Sequence, residues 1–587
     1  MALVRSAISG TRLLRAASGL GARSISIAPL AVARSGRLHA SSGLLSVAGF
    51  ATSSGPGSQA APPSFLSTAA RFSAVLLVSA VAFYFIFPTE DPDTAGAVHR
   101  HEPSSKLSTN LSKLGAKLLS PAEVTGILEH NQYDVSIAVH DLVAPKSPGS
   151  APPSPPVVQY HINQVASNPA IEDYHCEDQL DNGAVVFGIF DGHGGPHTAR
   201  ILSRELSSYV AHAIKKQSEP SIWSWIWPSP EISRKQLITD ALKEAFRAMD
   251  SDLVNAAFEP ETPDQAGLAY ILAALRPAAS GSCAILAYIE GNDLYVACTG
   301  DSRAVVGRRQ TDGSFDTIPL SVDQTVKNAR EYGRLLDEHP GELETVVVKG
   351  RVLGGLMPTR AFGDSRYKWP VSVQRLVWPH LGKRGCPPHY YTPPYVTAEP
   401  EVVHYELDPS KDKFLVLGSD GLYDELSSEE CVHLVAGQLE RKRLVPPPAY
   451  PAEASSQQKN LQFNDLSPER VAGFSYVDDN LATHLIRNAF GGKDDDKIGR
   501  LLGIPAPHSR RHRDDITVNV VLFGGPENHA SLDDQSAASS SASAPASASS
   551  KSEQPPRLRL VGTGSFTQRK QRLKEYVRFL AVAPRPN

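Results

Sequence analysis

At 587 residues the chain has room for more than one domain. Its composition is that of an ordinary globular protein, 41% hydrophobic and 20% charged, and a net charge of −4 argues against a nucleic-acid binder held by bulk positive charge. Five cysteines (Cys176, Cys283, Cys298, Cys386 and Cys431) carry no CxxC spacing. They read as small buried apolar residues in a reducing compartment rather than as a disulfide framework or a zinc site.

The first 71 residues contain no Asp, Glu or Lys, but arginines stand at 5, 12, 15, 23, 34, 37 and 71, with Ser, Ala and Leu between them. An acid-free, Arg- and Ser-rich leader is expected to be a mitochondrial transit peptide. Next comes the uncharged run "FSAVLLVSAVAFYFIF", Phe72–Phe87. As a helix it rises about 24 Å, a little short of a ~30 Å bilayer core. It is expected to be a single transmembrane helix, with a buried or cleaved segment as the competing reading. Residues 88–156 read as linker, because "VAPKSPGSAPPSPP" lacks donors and fixes φ at each proline. Within it, "SPAEVTGILEHNQYD" predicts a short helix with Ser120 as N-cap, Pro121 at N1 and Glu123 at N3.

Residues 157–525 form the expected catalytic domain. Here short apolar runs repeatedly stop on aspartate: "AVVFGIF" before Asp191-Gly192, "DLYVACTG" before Asp301, and "KFLVLGS" before Asp420-Gly421. "ITVNVVLF" is instead preceded by Asp514-Asp515. "AILAYIEGNDLYVAC" predicts a β-hairpin around Gly-Asn-Asp. Helical patterns lie at Ala199–Lys216, Arg234–Val254, Val322–Glu338 and Ser428–Leu439. Antiparallel strands with segregated helices predict an α+β layer fold. Beyond 525, "SAASSSASAPASASS" is low complexity, and the basic stretch "QRKQRLKEYVRF" reads as a solvated tail, with a surface helix or a partner contact as the alternatives, so 526–587 is placed outside the domain.

One Asp-Gly is ordinarily a turn. Four strand ends that each carry aspartate suggest convergence on one spot, where mutual repulsion calls for a cation. An all-oxygen, carboxylate-rich site suits Mg²⁺ or Mn²⁺. Two such ions ~3.5–4 Å apart suit the hydrolysis of a phosphate ester by in-line displacement. No CxxxxxR loop or GxSxG elbow offers a covalent route.

Six ordered stretches, "IEDYHCE", "FGIFDGHGG", "GSCAILAYIEGNDLYVACTGDSRAVVGRR", "RAFGDSRYKW", "FLVLGSDGLYDEL" and "RDDITVNVVLF", resemble the metal-dependent (type 2C) serine/threonine protein phosphatases. "SPAEVTGILEHNQYD", "NPAIEDYHC", "LGGLMPTRAFGDSRYKWP", "PPYVTAEPEV" and "NLATHLIRNAFGG" are similar to the mitochondrial pyruvate dehydrogenase phosphatases within that family. The resemblance implies a four-layer αββα sandwich with two central antiparallel β-sheets. It implies two Mg²⁺ or Mn²⁺ ions, with room for a third, and attack on phosphorus by a water bridging the pair.

On this resemblance Asp191 bridges both ions, the Gly192 carbonyl binds one, and Asp420 and Asp514 bind the other. Glu172 and Asp173 act through water, and Asp301 and Asp424 form a weaker third position. His193 is the implied general acid for the leaving Ser/Thr oxygen. Asp515 is a supporting residue. The sequence departs from many relatives at Asn168, where they carry a phosphate-gripping arginine; asparagine lacks its charge. Arg360 and Lys368 are the candidate replacements.

The implied partner is the pyruvate dehydrogenase complex, whose alpha subunit would be dephosphorylated and so activated. Nucleic acid is not expected. The implied place is the mitochondrion with inner-membrane association, matrix and intermembrane space both remaining open. The alternatives are a catalytically inactive docking relative or a phosphatase with another mitochondrial substrate. Retention of every metal aspartate favours the active enzyme.

Overall fold

The computed structural model describes residues 116–137, 156–167, 170–219, 232–258, 268–378, 385–442, 466–524, 558–562, 571 and 573–575. The leader, the apolar run 72–87, Asn168 and the low-complexity stretch 536–550 lie outside the described residues. Among those described, no helix is long and apolar enough to cross a membrane.

The strands in chain order are β1 (Tyr133–Ser136), β2 (Val157–Val165), β3 (Tyr174–Leu180), β4 (Val185–Phe190), β5 (Gly192–His193), β6 (Gly281–Ser282), β7 (Ala284–Glu290), β8 (Asp293–Thr299), β9 (Arg303–Arg309) and β10 (Phe315–Pro319). They continue with β11 (Val347–Val348), β12 (Arg351–Val352), β13 (Phe362–Gly363), β14 (Glu401–Glu406), β15 (Asp412–Gly418), β16 (Ile516–Phe523) and β17 (Arg559–Val561). Two six-stranded sheets result, in the orders β1-β2-β16-β15-β9-β10 and β14-β8-β7-β4-β3-β17. A three-stranded ribbon, β13-β6-β5, and the β11-β12 pair complete the set. The expected hairpin is β7-β8, with Glu290 opposite Asp293.

The strands are apolar on both faces because both faces are buried. In β4, Val185, Phe187 and Ile189 join a core with Tyr160, Ile162, Leu415 and Val521 of the other sheet. Val186 and Phe190 point the other way, into a core with Leu202, Leu206 and Leu242. Those leucines belong to helices α1 (His197–Ser218) and α2 (Arg234–Asn255). On the far side, Val518 and Val520 of β16 pack with Val432, Val435, Leu485 and Ile486, from helices α3 (Ser428–Arg441) and α4 (Leu481–Phe490). Three cores between four layers make the αββα sandwich.

Helix boundaries follow their caps. The N-terminal helix at Pro121–Glu129 has the predicted capping box between Ser120 and Glu123. Ser427 and Glu430 form another at the start of α3. The pattern read as helix from Val322 begins only at Ala329, because Asn328 accepts from the Arg330 N–H and caps it there.

Sequence reading placed the sandwich between 157 and 525, but strands from beyond both limits complete the sheets. Val124 and Leu128 are fully buried, and β1 pairs with β2 as the edge of the first sheet. At the other edge, β17 comes from the tail and pairs in parallel with β3, so the second sheet is not purely antiparallel. Arg559 holds β17 by a bidentate pair to the buried Asp178, at 2.7 and 2.8 Å, and donates to the Ser203 carbonyl at 3.1 Å.

Candidate active site

Three of the four strand-end aspartates lie together, without Asp514. Carboxylate oxygens of Asp191, Asp301 and Asp420 all lie within 4.8 Å of one another. Asp191 follows β4, and its carbonyl accepts from the Cys283 N–H at 2.8 Å, tying that strand end to the start of β7. Asp301 follows β8, and its Oδ1 accepts from the Cys283 thiol at 3.1 Å. Asp420 opens a one-turn helix, Asp420–Tyr423, immediately after β15.

Asp173, at the foot of β3, is 1% exposed, and its Oδ2 has no hydrogen-bond partner. Burial first, then the Asp515 charge, pushes its carboxyl up to about 8. Burial and the Asp420 charge push Asp301 up to about 7. Burial, with Asp420, Asp173 and Asp301, holds Asp191 well above the usual carboxylate range. Glu172 is raised as well, by burial foremost and then by Asp515, against the pull of Arg510 and His193. Carboxylates so crowded ionise together only beside a compensating charge. An orphaned buried oxygen and an all-oxygen donor set therefore fit a hard divalent cation.

The backbone around this cluster is tight. A Cβ on Gly192 would stand 2.3 Å from the Glu172 carbonyl oxygen, so only glycine allows the two segments to meet. Asp515 holds the preceding loop, accepting from the Ser167 N–H and hydroxyl at 2.6 Å and from the Glu172 N–H at 2.7 Å. This is the supporting role expected of it.

His193 is placed by the β13-β6-β5 ribbon, where β6 pairs with both neighbours. Its Nε2 lies 2.6 Å from Asp364 Oδ2. A Cβ on Gly281 would fall 2.0 Å from the former and 2.3 Å from the latter, so the ribbon's central glycine makes room for this pair. Burial opposes the imidazolium, but Asp364, with Glu172 and Asp301, outweighs it and raises the His193 pKa. Asp364 adopts a left-handed backbone, φ 45°, uncommon for a side-chain-bearing residue. Sequence reasoning missed its role; it stands in the quoted "RAFGDSRYKW", but nothing local links it to a histidine 171 residues earlier.

The other expected residues lie as follows. Asp514 forms an ion pair with Arg510, whose other terminal nitrogen is 4.0 Å from Glu172. Asp424 is exposed and does not join the three clustered aspartates; its charge acts on Arg303. Both candidate phosphate cations have other partners. Lys368 Nζ donates to both oxygens of Asp250, at 2.8 and 2.7 Å, and to the Ala361 carbonyl at 2.7 Å. That fills all three ammonium donors. Arg360 spans both oxygens of Glu331 and donates to the Glu399 carbonyl at 2.8 Å.

A family model described as protein phosphatase 2C matches residues 164–465. The chain belongs to the protein phosphatase 2C family. It is a metal-dependent phosphoprotein phosphatase acting on phosphoserine and phosphothreonine. Among its relatives, a protein phosphatase 2C homolog of Schizosaccharomyces pombe is 40% identical over 376 residues, covering 62% of this chain and 80% of the relative. Pyruvate dehydrogenase (acetyl-transferring)-phosphatase 1, mitochondrial, of Saccharomyces cerevisiae is 36% identical, covering 63% of this chain and 69% of the relative. The protein of the same name from Bos taurus is 34% identical, covering 69% and 83%. The protein phosphatase 2C sandwich thus extends here beyond the matched residues, to Pro121–Glu129 at one end and β17 at the other.

Proposed function

We propose that this phosphatase works in mitochondria on the pyruvate dehydrogenase alpha subunit, with the strand-end carboxylates and His193 as its machinery. The observation that carries the chemistry is the Asp191–Asp301–Asp420 cluster beside a histidine paired with Asp364. The substrate reading is supported by the names of the relatives from yeast and cattle.

In this reading Asp191, the Gly192 carbonyl, Asp420 and Asp514 would hold two divalent cations, Mg²⁺ or Mn²⁺. Glu172 and Asp173 would assist through water, and Asp301, inside the cluster, would supply a weaker third position with Asp424, which lies outside it. When bound, the cations neutralise the crowded carboxylates, lower the pKa of water and stabilise charge on the phosphoryl oxygens. The packed strands hold the buried aspartates in place, so the site needs little reorganisation. His193 carries the proton that the departing serine or threonine oxygen requires. Asp364 fixes the imidazole's orientation through Nε2, leaving Nδ1 for proton transfer. The Asp515 clamp keeps Ser167 and Glu172 against the site.

The test is dephosphorylation of a phosphopeptide panel, including the pyruvate dehydrogenase alpha-subunit sites, by the purified chain with Mg²⁺ or Mn²⁺. A kcat/KM at least about tenfold higher for those sites is expected, a difference of roughly 1.4 kcal/mol in transition-state binding. Equal rates across the panel would overturn the substrate assignment. The arginine-rich leader supports mitochondrial import, and the run 72–87 supports association with the inner membrane. Protease treatment of mitochondria and mitoplasts, followed by carbonate extraction, tests both. Release by carbonate removes the anchor, and digestion only after outer-membrane rupture places the domain in the intermembrane space.

A further inference from the structure

We propose that Arg510 is the cation that grips the substrate phosphate. The inference rests on the reading of this site as a phosphatase centre. It begins from a deficit. A phosphate dianion needs charged donors outside the carboxylate cluster, and Lys368 and Arg360 are committed to Asp250 and Glu331.

Arg510 lies in a short 3₁₀ turn, Ser509–Arg511, just ahead of β16. One guanidinium nitrogen pairs with Asp514, and another stands 4.0 Å from Glu172, outside hydrogen-bond distance. The side chain therefore bridges the segment before β3 and the segment before β16. It is 35% exposed, so a ligand entering from solvent reaches it. Lys368, at 8%, is closed off.

The chemistry of the group suits the task. Guanidinium is planar, permanently charged and able to present two parallel N–H donors to phosphate. Its tie to Asp514 is a partly exposed ion pair four residues apart, the kind that exchanges partners readily. Once Asp514 is engaged by a cation, a dianionic phosphate becomes the stronger partner for the guanidinium. The same arginine then holds the phosphate against the cluster.

The experiment compares wild type with Arg510→Ala and Arg510→Lys at saturating Mn²⁺. It measures KM and kcat for p-nitrophenyl phosphate, the competitive inhibition constant of inorganic phosphate, and the phosphate-dependent rise in melting temperature. For Arg510→Ala, KM and the phosphate inhibition constant are expected to rise about tenfold or more, with a smaller change in kcat and a lost melting shift. Arg510→Lys should recover part of the affinity, since it keeps charge but loses the fork. Arg510→Gln is the second variant if alanine compromises folding.

Unchanged KM, inhibition constant and melting shift would overturn the proposal. So would a gain in Mn²⁺ affinity as the sole effect, which would make Arg510 a counter-ion of the acids only. A wild type that hydrolyses no phosphate ester would sink the phosphatase reading instead, and the melting shift would still report on Arg510.

Discussion

Arg559→Met tests whether the C-terminal strand is part of the folded unit. The substitution keeps the aliphatic stem and deletes both hydrogen bonds to Asp178, together with the one to the Ser203 carbonyl. Asp178 is 0% exposed, so it is left as a buried carboxylate without its cation. Removing one partner of a buried pair costs about 3–5 kcal/mol. The Arg559 side chain is 44% exposed, so solvent already screens the pair and the cost falls below that range, to about 2–3 kcal/mol. With ~2.1 cal/mol/K of unfolding entropy per residue and a folded unit of roughly 350 residues, this corresponds to a fall of about 3–4 °C in Tm. Urea denaturation followed by circular dichroism gives the free energy, and hydrogen exchange along β3 reports release of β17. Adding Asp178→Asn should recover part of the loss, because it removes the stranded charge rather than a contact. A single variant within about 0.5 kcal/mol of wild type would refute the reasoning. A double variant less stable than the single one would also refute it.

Asp191→Asn should lose most phosphatase activity with the fold intact by circular dichroism; EDTA should abolish wild-type turnover, and Mg²⁺ or Mn²⁺ should restore it. Activity that persists in excess chelator would contradict a metal centre. His193→Ala should cost roughly 10²–10⁴-fold on phosphoserine peptides and much less on p-nitrophenyl phosphate, whose leaving group hardly needs a proton. Asp364→Asn should show the same substrate split in milder form, whereas equal losses on both substrates would assign the pair to positioning phosphate. The raised carboxyls predict a pH-dependent response to cation. With Asp301 held at about 7 and Asp173 at about 8, the folded chain binds more protons than the unfolded one between roughly pH 4 and pH 8. The cation-free protein therefore loses stability from these groups as pH rises through that window, and Mg²⁺, which displaces those protons, should raise Tm more at pH 8 than at pH 5.5. A cation effect independent of pH would show that these carboxylates do not hold it.

Much of the site was legible locally. An apolar run that stops on Asp-Gly marks a strand end, so Asp191 and Asp420 were visible as candidates, and the hairpin around Gly291-Asn292 placed Asp301. The Ser120 and Glu123 spacing marked a capped helix for the same reason. These signals reside in neighbouring residues, and local conformation answers to them. The late start of the helix at Ala329 shows their limit, since charged and apolar residues after Val322 suit a helix but Asn328 caps it.

By itself the sequence determined β4, β7, β8, β15 and β16, their apolar faces and the kind of chemistry at their ends, because backbone propensity and hydrophobic period act within a few residues. Tertiary structure alone decided which groups meet. It brought Asp364 to His193 across the β13-β6-β5 ribbon, and it occupied Lys368 and Arg360 with carboxylates. It also set Arg559 on Asp178, turning part of a basic tail into a sheet edge. A charge finds its partner only after packing removes water and brings distant segments within hydrogen-bond reach, and no local pattern records that distance.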